Sequence, residues 1–331
     1  MNTTRLILIP AALLAALSVS ADPVDIREWQ VPYPESRPRD PYAESATSVW
    51  FVGQRAGYLA HLDATSGEFT QVALKEGSGP HNLIVGSDGI VWYAGNRNRL
   101  IGRYDPDTGD IEEIMMPDEA ARDPHTLIFD ENEENIWFTV QGGNMMGRLN
   151  IETRNVDLLQ SRTERSRPYG IKMAPDGSVW VVLFGANKIA HIDPDTLEFE
   201  EISLPRTEAR PRRLEVTADG MVWYVDYAMG MLGRLDPDSG DVIEWQRPQG
   251  EGARPYGMAS DSDGKLWMVA TGVQPNVFLG FDPASESFFS STEVDSGGGT
   301  IRHMHYHEPS GAVWFGTDTN YVGRAVVQPD K

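Results

Sequence analysis

The sequence predicts an all-β chain folded as a single seven-bladed β-propeller of four-stranded antiparallel blades. Three observations carry the prediction: tryptophan returns at a near-constant step, turn signals sit at fixed places inside each step, and no segment keeps helical periodicity over ten or more residues. Seven of the nine tryptophans, Trp50, Trp92, Trp137, Trp180, Trp223, Trp267 and Trp314, follow one another at 42, 45, 43, 43, 44 and 47 residues. A step of that size holds four short strands and their turns, which is one propeller blade.

Each part of the repeat has its own signal. Before most of these tryptophans stands an Asp-Gly pair (Asp88-Gly89, Asp176-Gly177, Asp219-Gly220 and Asp263-Gly264), whose tolerance of positive φ suits a tight hairpin. A strand follows the tryptophan, then a polar loop, then a Gly-Arg-apolar strand such as Gly102-Arg103-Tyr104, Gly147-Arg148-Leu149 and Gly233-Arg234-Leu235. The turns Asp105-Pro106-Asp107-Thr108-Gly109 and Asp236-Pro237-Asp238-Ser239-Gly240 lead into a fourth strand, as in Asp110-Ile111-Glu112-Glu113-Ile114. The last repeat stops after Gly323-Arg324-Ala325-Val326-Val327 without a fourth strand. Residues 24–31 supply it: Ile26-Arg27-Glu28-Trp29-Gln30-Val31-Pro32 matches the fourth strand Ile243-Glu244-Trp245-Gln246-Arg247-Pro248 once Arg27 is treated as an insertion. The N-terminal strand is thus expected to close the last blade and remove open sheet edges. The repeat tryptophans are assigned to packing between blades.

Residues 1–21 read as a secretory signal: Arg5, an apolar run from Leu6 to Leu17 too short to span a bilayer, and Val19-Ser20-Ala21 before Asp22-Pro23. The propeller is therefore placed at residues 22–331, in a periplasmic or secreted protein with no membrane attachment after cleavage. With 49 Asp+Glu against 28 Lys+Arg the net charge is −21, which excludes nucleic-acid binding through bulk positive charge. The absence of cysteine excludes a disulfide scaffold and thiolate chemistry.

Strand parity sorts the loops onto two faces. The Asp-Gly and Asp-Pro-Asp-Thr-Gly turns fall on one face. The starts of the innermost strands and the loops between second and third strands fall on the other, around the channel mouth. The innermost strands begin with a recurring motif: Arg39-Asp40-Pro41-Tyr42, Gly79-Pro80-His81, Arg122-Asp123-Pro124-His125, Arg167-Pro168-Tyr169, Arg210-Pro211-Arg212, Arg254-Pro255-Tyr256 and Ile301-Arg302-His303. Ten of the 23 arginines lie here or just upstream: Arg37, Arg39, Arg122, Arg165, Arg167, Arg210, Arg212, Arg213, Arg254 and Arg302. A guanidinium fork suits carboxylate or phosphate, and a basic funnel on an acidic body focuses an anion, although pairing with surface carboxylates is the plain alternative. Among the histidines, His61 and His191 take the third-strand slot of Arg103, Arg148 and Arg234 and are read as structural. His81 and His125 share one channel-mouth slot in consecutive blades. His303, His305 and His307 alternate along one strand, where they either ligate a metal or line a polar channel.

The units Pro80-His81-Asn82-Leu83-Ile84, with Trp92-Tyr93, and Pro124-His125-Thr126-Leu127-Ile128, with Trp137-Phe138-Thr139, resemble the blades of streptogramin B lyases, the virginiamycin B lyase family. The resemblance covers essentially all of residues 22–331 at repeat level. It implies a seven-bladed propeller that opens a cyclic depsipeptide without water: a histidine removes a Cα proton, the ester oxygen leaves, and Mg²⁺ or another divalent cation stabilises the developing charge. By motif position it implies His125 as the base, Asp123 as a metal ligand and His81 as a substrate contact. The family's second ligand is the Glu of Trp-Phe-Thr-Glu, but here that position is Val140. The same slot in the other blades holds Gly53, Gly95, Leu183, Asp226, Ala270 and Thr317, so Asp226 is the one acidic substitute.

The expected function is a C–O lyase working by proton abstraction and β-elimination. Its substrate is a small molecule, oligosaccharide or peptide, anionic in character, and is held by His81, Arg122, Arg167, Arg212, Arg254, Arg302 and His303. A metal-dependent lactonase or hydrolase, and a non-catalytic propeller that binds a ligand or partner, are the alternatives. The chain is expected to be a monomer.

Overall fold

The computed structural model describes residues 23–329 and the pair Leu6–Ile7, which runs parallel to Val242–Ile243 on an outer strand. The expected signal segment otherwise lies outside the described residues. The structure is a seven-bladed propeller. Six blades are antiparallel sheets of four consecutive strands, with innermost strands Pro38–Ala43, Pro80–Val85, Pro124–Phe129, Pro168–Met173, Pro211–Val216 and Pro255–Ser260. The seventh contains Met304–His307, Ala312–Gly316 and Tyr321–Val326, and its fourth strand is Asp25–Gln30, antiparallel to Tyr321–Val326. Sequence-distant ends therefore close the ring where the strand pattern required it.

The core lies between blades rather than within them. Among the described residues there are seven apolar clusters, each joining neighbouring blades, the one across the closure comprising Trp29, Val31, Phe51, Tyr58, Trp314 and Val322 among others. Trp137, Trp223, Trp267 and Trp314 are at most 1% exposed. Burying a ring of that size contributes roughly 4–6 kcal/mol before entropy is counted.

The repeat motif has a steric cause. Across the ladder, each repeat tryptophan except Trp267 faces a third-strand His or Arg, as in Trp50–His61, Trp137–Arg148, Trp180–His191 and Trp314–Arg324. The cation or imidazole covers the ring: His191 stacks at 4.3 Å and Arg148 lies 5.6 Å from the centroid. In four blades the residue after the tryptophan is aromatic and faces the glycine of Gly-Arg: Tyr93–Gly102, Phe138–Gly147, Tyr224–Gly233 and Phe315–Gly323. A Cβ on any of these glycines would occupy the space of that ring. His61 and His191 are structural residues in this sense.

Ring closure depends on Trp29, which is 7% exposed and stacks on Trp314 at 5.5 Å. Trp29→Ala is expected to cost about 3–5 kcal/mol of stability, read as a clear fall in the thermal midpoint by near-ultraviolet circular dichroism. A midpoint equal to that of the parent would contradict this role.

Candidate active site

A bulge sets which side chains reach the channel. In the second blade Pro80 pairs with Gly95 but Leu83 with Tyr93, so His81 and Asn82 oppose a single residue. The same shift follows Pro124, Pro168, Pro211 and Pro255. Aligning the blades by their tryptophan partners gives three layers down the channel. The outer layer is Arg39, His81, His125, Tyr169, Arg212, Tyr256 and Arg302. The middle one is Asp40, Asn82, Thr126, Gly170, Arg213, Gly257 and His303. The third, opposite the tryptophans, is Tyr42, Ile84, Ile128, Lys172, Glu215, Ala259 and His305.

This register corrects one expectation. The first blade begins at Pro38, opposite Gly53, not at Pro41. Arg39 therefore stands beside His81 in the outer layer, and Asp40 stands below it. His303 sits one layer deeper than the mouth. With His305 it reaches the opposite end of the channel, where both line a cavity of about 390 Å³ together with Tyr42, Lys172 and Glu215.

The outer layer is a continuous contact. His81 and His125 are 4% and 1% exposed, with ring centroids 3.6 Å apart, and His125 lies 4.0 Å from the Tyr169 ring. The Tyr169 and Tyr256 hydroxyls share a hydrogen bond. Arg212 lies over Tyr256 at 3.6 Å, Tyr227 at 4.2 Å and Phe184 at 4.5 Å, so an aromatic cage already holds it. Arg39 Nη1 donates to His81 Nε2 at 2.7 Å. A guanidinium only donates, so Nε2 is the acceptor, and Nδ1 carries the proton and donates to the His125 carbonyl at 3.2 Å. His81 is a neutral imidazole of one tautomer. His125 Nδ1 meets Thr126 Oγ1 at 2.8 Å, and that hydroxyl also accepts from Arg213 Nη1 at 3.0 Å.

The electrostatics agree with neutral rings. Burial, then Arg213, Arg39 and Arg212, hold His125 well below the usual imidazole range; burial, Arg39 and His125 do the same to His81. Burial pushes the Tyr169 phenol up, but Arg212, Arg39 and Arg213 outweigh it and bring it down to about 8.

The rim is more open. Arg122, Arg167 and Arg254 are exposed, whereas Arg302 is bound by Asp318, which also pairs with Arg37 at 3.2 Å. Arg37, Asp123, Arg167 and Arg254, each just before a strand's first proline, adopt φ of 55°, 68°, 51° and 42°. Left-handed backbone at a non-glycine is costly and clusters at functional sites.

The acidic residues do not fit the divalent cation. Asp123 accepts from the Asn96 amide and from Gln141 Nε2 at 3.0 Å, and burial pushes its carboxyl up to about 6. Asp226 is fully buried within its own blade: Oδ1 accepts from the backbone of Arg210, Ala228 and Met229, and Arg206 lies 3.3 Å from Oδ2. That is the bonding of a loop clasp. Among the described residues no group of three or more His, Cys, Asp or Glu side chains is placed to hold a metal.

The fold and this mouth define a propeller with a polar axial site, built from two imidazoles, two phenols and three guanidinium groups. The model of the virginiamycin B lyase family matches residues 15–274, well over half of the chain, and the chain belongs to that family. A streptogramin B lyase structure superposes with a TM-score of 0.80 at 22% identity, over 91% of this chain and 97% of the other. A catalytically inactive histidine-to-alanine virginiamycin B lyase from Staphylococcus aureus with quinupristin gives 0.81 at 21%, over 91% and 98%. A putative 6-phosphogluconolactonase from Bacteroides fragilis gives 0.59 at 14%, over 86% and 89%. At these identities the likeness shows the fold alone. No curated protein matches the chain.

The buried His81 and His125 and the half-buried His303 and His305 are all held below their ordinary pKa, His305 at about 3. The unfolded chain binds protons below about pH 6.5 that the folded chain refuses, so stability falls as pH drops through that value. Each such group removes about 1.4 kcal/mol per pH unit, and Asp123, with its raised carboxyl, offsets part of one. Urea unfolding is expected to give several kcal/mol less stability at pH 5.5 than at 7.5, with His81→Asn reducing the difference by about 1.4 kcal/mol. Equal stabilities at the two pH values would contradict neutral burial.

Proposed function

We propose that this chain is a C–O lyase that acts by β-elimination at the outer channel layer, with His125 as the base and without a divalent cation. The observation that carries the reading is the pair of neutral imidazoles set among arginines. His125 is unprotonated where it must accept a proton, and guanidinium donors lie where negative charge would develop on a carbonyl oxygen. His125 takes the proton α to that carbonyl, the C–O bond at the β carbon breaks as the double bond forms, and the departing oxygen takes up the proton that His125 then gives back, which restores the neutral imidazole. No water is consumed. The exposed Arg122, Arg167 and Arg254 gather an anionic substrate, of which a uronate is one kind that undergoes this chemistry. Export through residues 1–21 belongs to the same reading.

A second reading is a ligand-binding propeller without turnover. It is favoured by the near-complete burial of both imidazoles and by the aromatic cage that already occupies Arg212.

Uronate oligosaccharides and cyclic depsipeptides should be screened for the ultraviolet absorbance of a conjugated product. Turnover is expected to survive a chelator, to incorporate no heavy oxygen from labelled water, and to fall at least 10²-fold in His125→Ala. Full activity in His125→Ala would refute the assignment of the base. Label in the product would point instead to a lactonase.

A further inference from the structure

We infer that Arg39 and Arg213 form a buried site in the channel that takes a carboxylate group of the ligand. The inference deepens the lyase reading by naming its substrate class, but its test needs no turnover.

Arg39 and Arg213 are 5% and 3% exposed and come from the first and fifth blades. Part of each guanidinium is spent locally. Arg39 Nη1 donates to His81 and to Gln54 Oε1 at 3.1 Å; Arg213 donates through Nε to the Arg302 carbonyl at 3.2 Å and through Nη1 to Thr126. Both approach the same carboxylate: Arg39 Nε lies 3.4 Å from Asp40 Oδ1 and Arg213 Nη2 lies 3.9 Å from Asp40 Oδ2. Neither contact is a hydrogen bond. Nη2 of Arg39 and Nη2 of Arg213 are buried and have no hydrogen-bond partner.

The charges in the two upper layers do not cancel. Arg39, Arg212 and Arg213 face one buried carboxylate, Asp40, since Arg302 is neutralised by Asp318. The neighbouring histidines are neutral, so two cationic charges stay uncompensated in a site nearly closed to water. Such burial is unfavourable unless an anion enters. The lowered Tyr169 phenol reports the same positive field from an independent group. A planar carboxylate fits a guanidinium edge with two donors, and its oxygens would give both Nη2 groups the acceptors they lack. In the elimination that carboxylate would be the acid group α to the abstracted proton, so the charge that accumulates on its oxygens would fall on Arg39 and Arg213.

The probe is sodium acetate, small enough to enter whatever the remainder of the ligand. Thermal unfolding of the full chain is followed against acetate, sulfate and chloride at matched ionic strength. Acetate is expected to raise the midpoint saturably and chloride to leave it unchanged. Half-saturation should rise at least tenfold in Arg39→Gln and in Arg213→Gln, and stay at the parent value in Arg103→Gln, which lies on the outer part of the second blade. If Arg213→Gln fails to fold, Arg213→Lys, which keeps the charge and loses the fork, should still weaken acetate about tenfold. No acetate-specific response in the parent, a response unchanged in the Arg39 and Arg213 variants, or a response to sulfate alone would overturn the inference. His125→Asn separates the two readings, since it should abolish elimination and retain the acetate response. Elimination that persists in an acetate-insensitive parent counts against this site alone, and an acetate response without any elimination counts against the lyase alone.

Discussion

The packing of aromatic rings between blades is the constraint on which the rest depends. A four-stranded blade cannot bury its own faces, so each presents its tryptophan and the apolar or aromatic residues beside it to its neighbours, and the cluster across the closure forms only if the ring closes. The stack of Trp29 on Trp314 fastens that closure with residues from opposite ends of the chain. Because all seven units are held in one register, the starts of seven innermost strands converge on one axis. Unlike side chains at matching slots thereby become neighbours: His81 and His125 touch although 44 residues separate them.

At that axis the molecule reverses its own electrostatic character. The body carries an excess of carboxylates, −21 overall, while the upper channel gathers guanidinium groups around neutral imidazoles. The two facts are connected. Histidines can be packed beside Arg39 and Arg213 only if they stay uncharged, and the fixed tautomer of His81 follows from an arginine that can donate but not accept. The cage of Tyr169, Tyr227, Tyr256 and Phe184 around Arg212 holds a third cation without spending a carboxylate on it.

Much of this was legible in the residues. Tryptophan spacing and the Asp-Gly and Gly-Arg signals report steric needs that recur in every blade, so the fold, the ring closure and the pairing of His81 with His125 could be read from one copy of the chain. The start of the first blade is ambiguous because Pro38 and Pro41 both suit a strand start, and the ladder pairing of Pro38 with Gly53 decides between them. A start at Pro41 puts Arg39 and Asp40 three residues out of register, ahead of the strand, and hides their part in the site. The sequence signal that separates them is the distance to the repeat tryptophan, 12 residues from Pro38 to Trp50 as from Pro80 to Trp92 and from Pro211 to Trp223. Asp226 shows the opposite limit. A lone acidic residue at a ligand slot looks the same in sequence whether it binds an ion or clasps its own loop, and only the backbone donors around it tell the two apart.

The central claim is that the two imidazoles at the mouth are neutral because arginines surround them and burial excludes water. Long-range proton–nitrogen correlation spectra of the histidine rings, recorded from pH 8 to pH 5, test it most directly. The account predicts that His81 keeps its proton on Nδ1 and that neither His81 nor His125 acquires a second proton anywhere in that range. Titration of both rings near the ordinary imidazole value, about 6.5, would contradict it.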